Sequence, residues 1–355
     1  MRDKIIEVLN FFQKGYEKKD PNFIDEFMKE LFIKDDLIIF GTGINEVCIT
    51  DEQSRELFVS DWKYWGDYYL NFDTIDIKSY PLFSYVNILG TLTYRFKDDE
   101  ETYDKFIGFV KENMENGKTY DFLDVQHYLS HLLHARDQAQ RSVIFPIMTS
   151  FIFEECDNQA KIKRIMFSMI NNSLYKDIRF EDVIPYKKAF SKDIDALKAL
   201  GHNKDIAISK LKFDENSFII NHQGIKTNKN KGDDISSCFD SEINLDIYDE
   251  SVTFLKSSKH IFFTVYATLK KQTTQENMEK DLKKHILEIL ERKLPSKDKL
   301  FMVRRDIALT YKEMSLGFSF TWPIRLHGVI EEKQNSLVIQ HLNITDPFNV
   351  ILEGK

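Results

Sequence analysis

Apolar residues recur at every third or fourth position over residues 5–16 and again over residues 23–32, which is the spacing of one buried helix face. Asp20 and Pro21 separate the two stretches, and an N-cap aspartate followed by a proline favours a new helix start. The pattern therefore predicts two amphipathic helices at the start of the chain.

Short apolar runs follow the helices and indicate strands. The first run, at 37–40, ends at Gly41-Thr42-Gly43, and Thr50 with Gln53 has the spacing of a capping box for a third helix. The remaining predicted elements of this half are strands at 68–79 and 83–96, helices within 101–138, and strands at 143–155 and 160–169.

The second half of the chain repeats the first. Residues 145–168 align without a gap with residues 322–345, which lie 177 positions later, and the same offset pairs Gly90-Thr91-Leu92 with Ala267-Thr268-Leu269. An insertion between the two blocks would break this shared offset. We therefore predict a tandem duplication of a domain of about 175 residues.

The predicted domains are residues 1–175 and residues 178–355. In the second domain the pattern predicts, in order, short helices within 194–211, strands at 218–220, 243–255 and 260–271, helices at 277–292 and 302–314, and strands at 318–332 and 336–345. Helices that cover one face of a mostly antiparallel sheet define the α+β class, which we predict for both domains.

Composition excludes several classes of partner. The chain of 355 residues has a net charge of −8, and its one basic cluster, 226–231, has no aromatic residue for stacking bases, so nucleic acid is not expected. No apolar run approaches the roughly 20 residues that span a bilayer, which predicts a cytoplasmic protein without membrane contact. Cys48, Cys156 and Cys238 have neither disulfide nor zinc spacing.

The order of elements, together with specific residues, resembles the nuclear transport factor 2-like superfamily and, within it, the SnoaL-like domain proteins. The matching residues are Gly41-Thr42-Gly43, Asp61-Trp62, Trp65-Gly66 and Gly90-Thr91-Leu92 in the first copy, and Trp322-Pro323-Ile324-Arg325 and 341–347 in the second. At 341–347 the family's closing motif is only partly kept.

The resemblance implies a cone-shaped domain in which a strongly bent sheet wraps around helices and leaves an apolar cavity, with a helical insert before the last two strands. Members usually pair through their sheets. We therefore expect the two domains to form a covalent pseudo-dimer within one chain, as a monomer or as a dimer of chains, because a linker raises the effective concentration of its two halves.

The resemblance also implies where isomerases of this fold carry their catalytic groups. The general base falls near Gly41, the helical tyrosine near Phe12 and the strand aspartate near Met148 or Arg325. None of these residues can enolise a substrate, which requires a proton acceptor and an oxyanion stabiliser together. This chemistry is therefore disfavoured.

Polar candidates for a ligand site lie in the second copy. Side chains alternate along a strand, so Arg325 and His327 share one face, which by resemblance is the concave one. With His341 they would bind a carboxylate-bearing small molecule. The first copy has Met148 and Ser150 in their places, which predicts a site in the second domain only. The alternative is an internal ion pair for Arg325 and an interior role for His327.

Two further clusters have a functional and a structural interpretation. Asp61, Trp62 and Trp65, with Tyr68, either line a pocket mouth or belong to the core. His127, His131 and His134 share one face of a predicted helix and have metal-ligand spacing. This face lies opposite the apolar stripe and is expected to be solvated. Neither a metal nor a cofactor is therefore predicted.

Three functions remain open from the sequence. The missing base favours a non-catalytic or weakly catalytic small-molecule-binding protein with a SnoaL-like cavity. The first alternative is a hydratase, dehydratase or cyclase that uses Arg325 and His327. The second is a protein-interaction scaffold, because this superfamily includes proteins of all three kinds.

Overall fold

A computed structural model of the protein describes residues 1–34, 36–42, 46–64, 66–94, 104, 143–169, 191–200, 206–221, 224–239, 241, 243–272, 274–291, 296, 299–300, 303, 307, 319–334 and 336–345. Trp65, the helix predicted to carry the three histidines, and the predicted linker at 170–190 lie outside the described residues.

The first domain begins with three helices, α1 (Arg2–Lys18), α2 (Ile24–Leu31) and α3 (Asp51–Tyr64). The predicted Asp20 cap is confirmed, since the Asp20 side chain accepts a hydrogen bond from the Asn22 amide at the start of a 3-10 turn, Pro21–Phe23, that leads into α2. The predicted capping box is also confirmed: Gln53 N–H donates to Thr50 Oγ1 at 3.2 Å, and Gln53 Oε1 accepts from the Thr50 amide at 3.2 Å.

Seven strands form the first sheet: β1 (Ile38–Phe40), β2 (Val47–Cys48), β3 (Tyr68–Leu70), β4 (Asp76–Ser79), β5 (Ser84–Tyr94), β6 (Val143–Cys156) and β7 (Gln159–Met169). Their order is β2-β1-β7-β6-β5-β3, with β4 also paired to β5. Among the described strands of this sheet, β1 and β7 are the one parallel pair. The long strand predicted at 68–79 is split by a 3-10 turn, Phe72–Thr74, because the Asn71 side chain accepts from the Asp73 amide and turns the chain.

The second domain has two described helices, α4 (Ser191–Ala199) and α5 (Gln275–Glu291). Its seven strands are β8 (Lys212–Ile220), β9 (Lys226–Asn228), β10 (Ile243–Ile247), β11 (Thr253–Ser257), β12 (His260–Gln272), β13 (Ser319–Lys333) and β14 (Ser336–Thr345). The order is β10-β12-β13-β14-β8-β9, with β11 also paired to β12, and β8 runs parallel to β14.

The two sheets have one topology and recur at the offset seen in the sequence. The 3-10 turn at Phe72–Thr74 corresponds to the turn at Asp249–Ser251. The register shift between Ile152 and Phe153 corresponds to that between Val329 and Ile330. The predicted class, two tandem α+β domains, is confirmed, and α5 is the helical insert before the last two strands of the second domain.

Alternation along the central strands separates two layers of core. On β6, Ile147, Phe151 and Phe153 face α1–α3, where the Phe12 ring lies edge-on to Phe151 at 5.5 Å. On β13, Ile324, Leu326 and Ile330 belong in the same way to the core of the second domain, with Met278 of α5. Each sheet therefore has an inner face that is covered by its own domain.

The outer faces of the two sheets pack against each other. The shared cluster comprises Ile38, Phe40, Phe83, Tyr85, Ile152 and Met166 from the first domain, and Ile194, Leu197, Tyr248, Phe262, Tyr266 and Val329 from the second. Helix α4 contributes Ile194 and Leu197 to this layer. This helix, within the segment predicted to hold short helices, therefore buries its apolar face between the domains.

Candidate functional site

A cavity lies in the first domain, between α1, α3 and the inner face of the sheet. Its polar lining consists of Tyr16, Thr42, Glu46, Asp61 and Tyr68, and its apolar lining consists of Leu57, Leu92, Ile147 and Phe167. Together with the open space at its mouth, the cavity has a volume of about 320 Å³. The enclosed cavity alone has a volume of about 20 Å³. This inner space accommodates about one water-sized group.

A phenol and a carboxylate meet in this cavity. Tyr16 Oη donates a hydrogen bond to Asp61 Oδ2 at 2.8 Å. Burial raises the pKa of Tyr16 well above its usual value, and the negative charge of Asp61 raises it further. Tyr16 therefore stays protonated and holds the carboxylate of α3 against the end of α1.

A second phenol lies beside the first. The rings of Tyr16 and Tyr68 are 4.9 Å apart, and Tyr68 Oη is hydrogen-bonded to Thr149 Oγ1 on β6. Burial raises the pKa of Tyr68 as well, although the Thr149 hydroxyl opposes this shift. Two protonated phenols thus contribute their hydroxyl groups to the polar lining of the cavity.

Glu46, directly before β2, also lines the cavity. The Gly41 amide donates to the Glu46 carbonyl at 2.8 Å, and a Cβ built on Gly41 would overlap Glu46 Oε2. The carboxylate therefore lies directly against the Gly41 α-carbon, an approach that only glycine permits. None of the described lining residues is Lys, Arg or His, so the cavity is suited to a cation or to a hydrogen-bond donor.

The three first-copy candidates have different positions. Asp61 lines the cavity, as does Tyr68 of the same cluster. Trp62 is 4% exposed and packs edge-on against Phe27 at 5.1 Å, which places it in the helical core. Trp65 lies outside the described residues. The aromatic cluster predicted from the sequence is thus divided between cavity and core.

The expectation that Arg325 and His327 face the concave cavity is wrong. Ile324 and Leu326 occupy the inner face of β13. Arg325 and His327 do share one face, as predicted, but it is the outer face of the sheet. Arg325, His327 and His341 are 0–1% exposed and lie between the two sheets. Each of the three side chains has a hydrogen-bond partner in the first domain.

Hydrogen bonds connect the sheets across this layer. Tyr85 Oη and His327 Nδ1 are 3.2 Å apart, and Tyr80 Oη and His341 Nδ1 are 3.4 Å apart. Asn343 Nδ2 donates to Asn87 Oδ1 at 2.9 Å. The Ser150 hydroxyl donates to the same Asn87 oxygen at 2.5 Å. The candidates at 327 and 341 are therefore interior residues of a polar network that joins the domains.

Arg325 has a more specific environment. Its guanidinium donates a hydrogen bond to the Gly41 carbonyl of the first domain. It also lies over the rings of Phe40 and Tyr266, at 5.8 and 5.4 Å from their centroids. Tyr266 Oη donates to Asp193 Oδ2 of α4 at 2.5 Å. Asp193, an acid of α4, is thus bonded to the tyrosine whose ring lies beside the Arg325 guanidinium.

The remaining sequence expectations concern metal and membrane. His127, His131 and His134 lie outside the described residues. Within the described ranges, no three His, Cys, Asp or Glu residues are grouped so as to hold a metal ion. No helix in this part of the chain has the length and apolar character that crossing a bilayer requires.

Sequence reasoning missed Tyr16 and Glu46. The resemblance placed the helical tyrosine near Phe12, but Tyr16, one turn later on the same apolar stripe, is the residue that lines the cavity. Glu46 closely follows the sequence Gly41-Thr42-Gly43, and an acid near this glycine-containing motif was the available signal. Both residues were missed because the sequence pattern does not show which side chains line a cavity.

Comparison with known proteins gives similarities to solved structures only. No family model matches the chain, and no curated protein matches it. Similar structures include a nuclear transport factor 2-like superfamily protein from Salmonella enterica (13% identity, 49% of this chain and 94% of that chain, TM-score 0.32) and a ketosteroid isomerase-like protein from Erwinia carotovora (10%, 48% and 93%, TM-score 0.28).

A third similar structure is an uncharacterised protein with a cystatin-like fold from Caulobacter vibrioides (10% identity, 48% of this chain and 90% of that chain, TM-score 0.30). The first of the three structures carries the superfamily name that the sequence resembles. At such identities and TM-scores, similarity does not transfer an activity from one protein to another.

Proposed function

We propose that this protein binds a small molecule in the first-domain cavity, and that the bound group is a cation or a strong hydrogen-bond donor. The observation that carries the proposal is the convergence of the Asp61 and Glu46 carboxylates with the Tyr16 phenol on one partly enclosed space. A carboxylate in a site of low water content favours an ammonium or amidinium partner over any neutral group.

The second domain lacks this polar wall at the corresponding positions. Tyr68 faces Leu92 on β5, and the matching pair in the second sheet is Leu245 and Leu269. Leu326 stands where the first domain has Thr149. The hydroxyl pair of the first domain is thus replaced by two leucines, which supports a single site, in the first domain rather than the second.

Binding fits this geometry better than catalysis does. Burial and the adjacent carboxylate both raise the pKa of Tyr16, so the phenol is a poor proton donor in an acid–base step near neutral pH. As a fixed hydrogen-bond donor it orients Asp61 instead. In this proposal the second domain supports the first by covering the outer face of its sheet.

The test uses benzylamine, benzyl alcohol and benzoate, which share one ring and differ in charge; in this proposal only the polar group enters the small inner space, and the ring lies at its solvent-open mouth. We expect benzylamine to bind at millimolar concentration and to raise the melting temperature, while benzoate does neither. Asp61→Asn should weaken benzylamine binding by about tenfold, because hydrogen bonds to charged groups contribute about 1.5–3 kcal/mol. Titration followed by ligand-observed NMR measures the affinity.

Asp246→Asn is the matched control. It removes the same charge from a half-exposed second-domain residue that pairs with Lys270 and is not one of the described lining residues, and it should leave benzylamine binding unchanged. Equal binding of benzoate and benzylamine would contradict the proposed ligand class. Unchanged benzylamine affinity in Asp61→Asn would contradict the proposed site.

A further inference from the structure

Arg325 links the second domain to the wall of the first-domain cavity. Its side chain is 1% exposed, and its guanidinium donates to the carbonyl of Gly41, which lines the cavity. Gly41 directly follows β1, and Thr42 and Glu46 belong to the same lining. A residue 284 positions away in the sequence thus contacts the backbone that bounds the site.

Tyr266 connects the same guanidinium to α4. Tyr266 lies directly across from Arg325 on β12, with its ring 5.4 Å from the guanidinium carbon. Tyr266 Oη donates to Asp193 Oδ2 at 2.5 Å, and the Asp193 side chain is itself buried. The contacts therefore run from Asp193 through Tyr266 and Arg325 to Gly41.

These contacts bear on the position of Glu46. A hydrogen bond from a buried cation to a carbonyl is stronger than a neutral one, so it fixes Gly41 more firmly than the short strand alone would. Gly41 in turn donates its amide to the Glu46 carbonyl at 2.8 Å and lies against the Glu46 carboxylate. Movement of the Gly41 carbonyl would displace one of the two cavity acids.

The sheet itself does not require an arginine at this position. Met148 is the corresponding residue of β6, and it lies in a small apolar cluster with Phe218 and Ile220 at the same interdomain layer. A methionine therefore satisfies the packing of this layer in the first domain. What the guanidinium adds is the contact with the Gly41 carbonyl.

We propose that Arg325 is a positioning residue for the first-domain cavity, and that the contacts from Asp193 through Tyr266 and Arg325 to Gly41 couple α4 to the occupancy of that cavity. The structural half of this proposal, control of the described backbone within the segment at 41–48 (residues 41–42 and 46–48), stands on the contacts alone. The coupling to occupancy rests on the function proposed above. The two halves are tested by separate measurements.

The first measurement is amide hydrogen exchange of the segment at 41–48. Arg325→Met copies the residue of the first domain and roughly keeps the volume. It should speed exchange in this segment by at least about tenfold, while exchange on β6 and β7 stays as in the unaltered protein. Arg325→Lys, which retains one cationic donor, should restore part of the protection.

His327→Ser is the matched control, because it copies Ser150 of the first domain at a buried interdomain position without a contact to Gly41. It should leave exchange at 41–48 unchanged. Equal exchange at 41–48 in Arg325→Met and the unaltered protein would overturn the positioning role. A uniform rise over the whole chain would overturn it too, because that result shows loss of stability rather than of a local contact.

The second measurement is benzylamine affinity. Arg325→Met and Tyr266→Phe should each weaken binding by about threefold to tenfold, although neither residue lines the cavity. If Asp61→Asn weakens binding and these two variants do not, the site stands and the coupling is wrong. If the unaltered protein does not bind benzylamine, the proposed ligand class fails, and hydrogen exchange alone decides whether Arg325 positions the segment.

Discussion

At the scale of single residues, His327 and His341 are two imidazoles buried between the domains. Burial lowers the pKa of His327 to about 3, and the nearby Arg325 charge adds to this effect. Burial also lowers the pKa of His341 well below its usual value, with further contributions from Lys78, His327 and Lys226. Both rings are therefore neutral at neutral pH. Each forms one hydrogen bond with a tyrosine hydroxyl.

These two histidines predict a pH dependence of stability. Because their pKa values in the folded protein lie below the unfolded value of about 6.5, the stability that they contribute is complete above pH 6.5 and is lost as the pH falls towards 3. His327 should remove about 1 kcal/mol of unfolding free energy per pH unit between pH 6.5 and about 3, and His341, whose pKa is lowered in the same direction, should add to this slope. Urea unfolding at a series of pH values measures the slope.

The control for this prediction is the double variant His327→Gln/His341→Gln, which removes both titrating rings and keeps hydrogen-bonding groups. Its unfolding free energy should fall less steeply below pH 6.5 than that of the unaltered protein, while the acids common to both contribute equally. Identical slopes would show that the two imidazoles do not remain neutral in the folded state.

Residue-level reasoning from the sequence identified some of the site and missed the rest for physical reasons. Asp61 was a candidate and lines the cavity, while Arg325 and His327 were assigned to the wrong face of their strand. Period-two alternation shows which residues share a face but not which face the helices cover. Only the packing of the two sheets decides that, and here it placed the polar face at the interdomain layer.

At the scale of elements, the β13–β14 hairpin has a close backbone approach at its register shift. A Cβ built on Gly328 would overlap the carbonyl oxygen of His341, which is backbone and cannot rotate away. We expect Gly328→Ala to destabilise the protein by about 1–3 kcal/mol, as overpacking in a tight core does. Urea unfolding of the variant measures the change.

Ser336→Ala provides the comparison for this hairpin. Ser336 is exposed at the start of β14, and a substitution at such a site should change the unfolding free energy by no more than about 0.5 kcal/mol. A Gly328→Ala variant as stable as Ser336→Ala would show that the two strands separate locally at little cost, contrary to the close approach.

Most elements of this fold were predictable from local signals. Both caps, the hairpins at 143–169 and the final strand pair follow from patterns within about 15 residues. The split of the strand at 68–79 depends on one side-chain hydrogen bond of Asn71. The spacing of apolar residues along the sequence does not indicate such a bond. The burial of α4 between the domains depends on the partner domain, and no local pattern contains that information.

At the scale of the whole molecule, the two outer sheet faces cover each other within one chain. Apolar residues such as Tyr85, Ile152, Phe262 and Val329 are buried there without a second chain. We therefore predict a monomer of 42.0 kDa in solution. Light scattering coupled to gel filtration, over a wide range of protein concentrations, measures the mass.

The same dilution series, followed by circular dichroism, tests whether association is needed for folding. We expect the far-ultraviolet signal and the melting temperature to be independent of concentration, because no intermolecular step precedes burial of the sheets. A melting temperature that falls on dilution would show that a second chain completes the fold, and the intrachain pairing would then be an incomplete account of its stability.

The polar contacts between the sheets also have a consequence for symmetry. In an assembly of identical subunits about a two-fold axis, a contact between two different positions must occur twice. Tyr85 bonds to His327 here, whereas the repeat-related positions hold Phe262 and Ser150, which cannot form the reciprocal bond. The two halves are thus a matched pair of unlike surfaces, and two copies of either half would lose the hydrogen bond that the whole chain makes once.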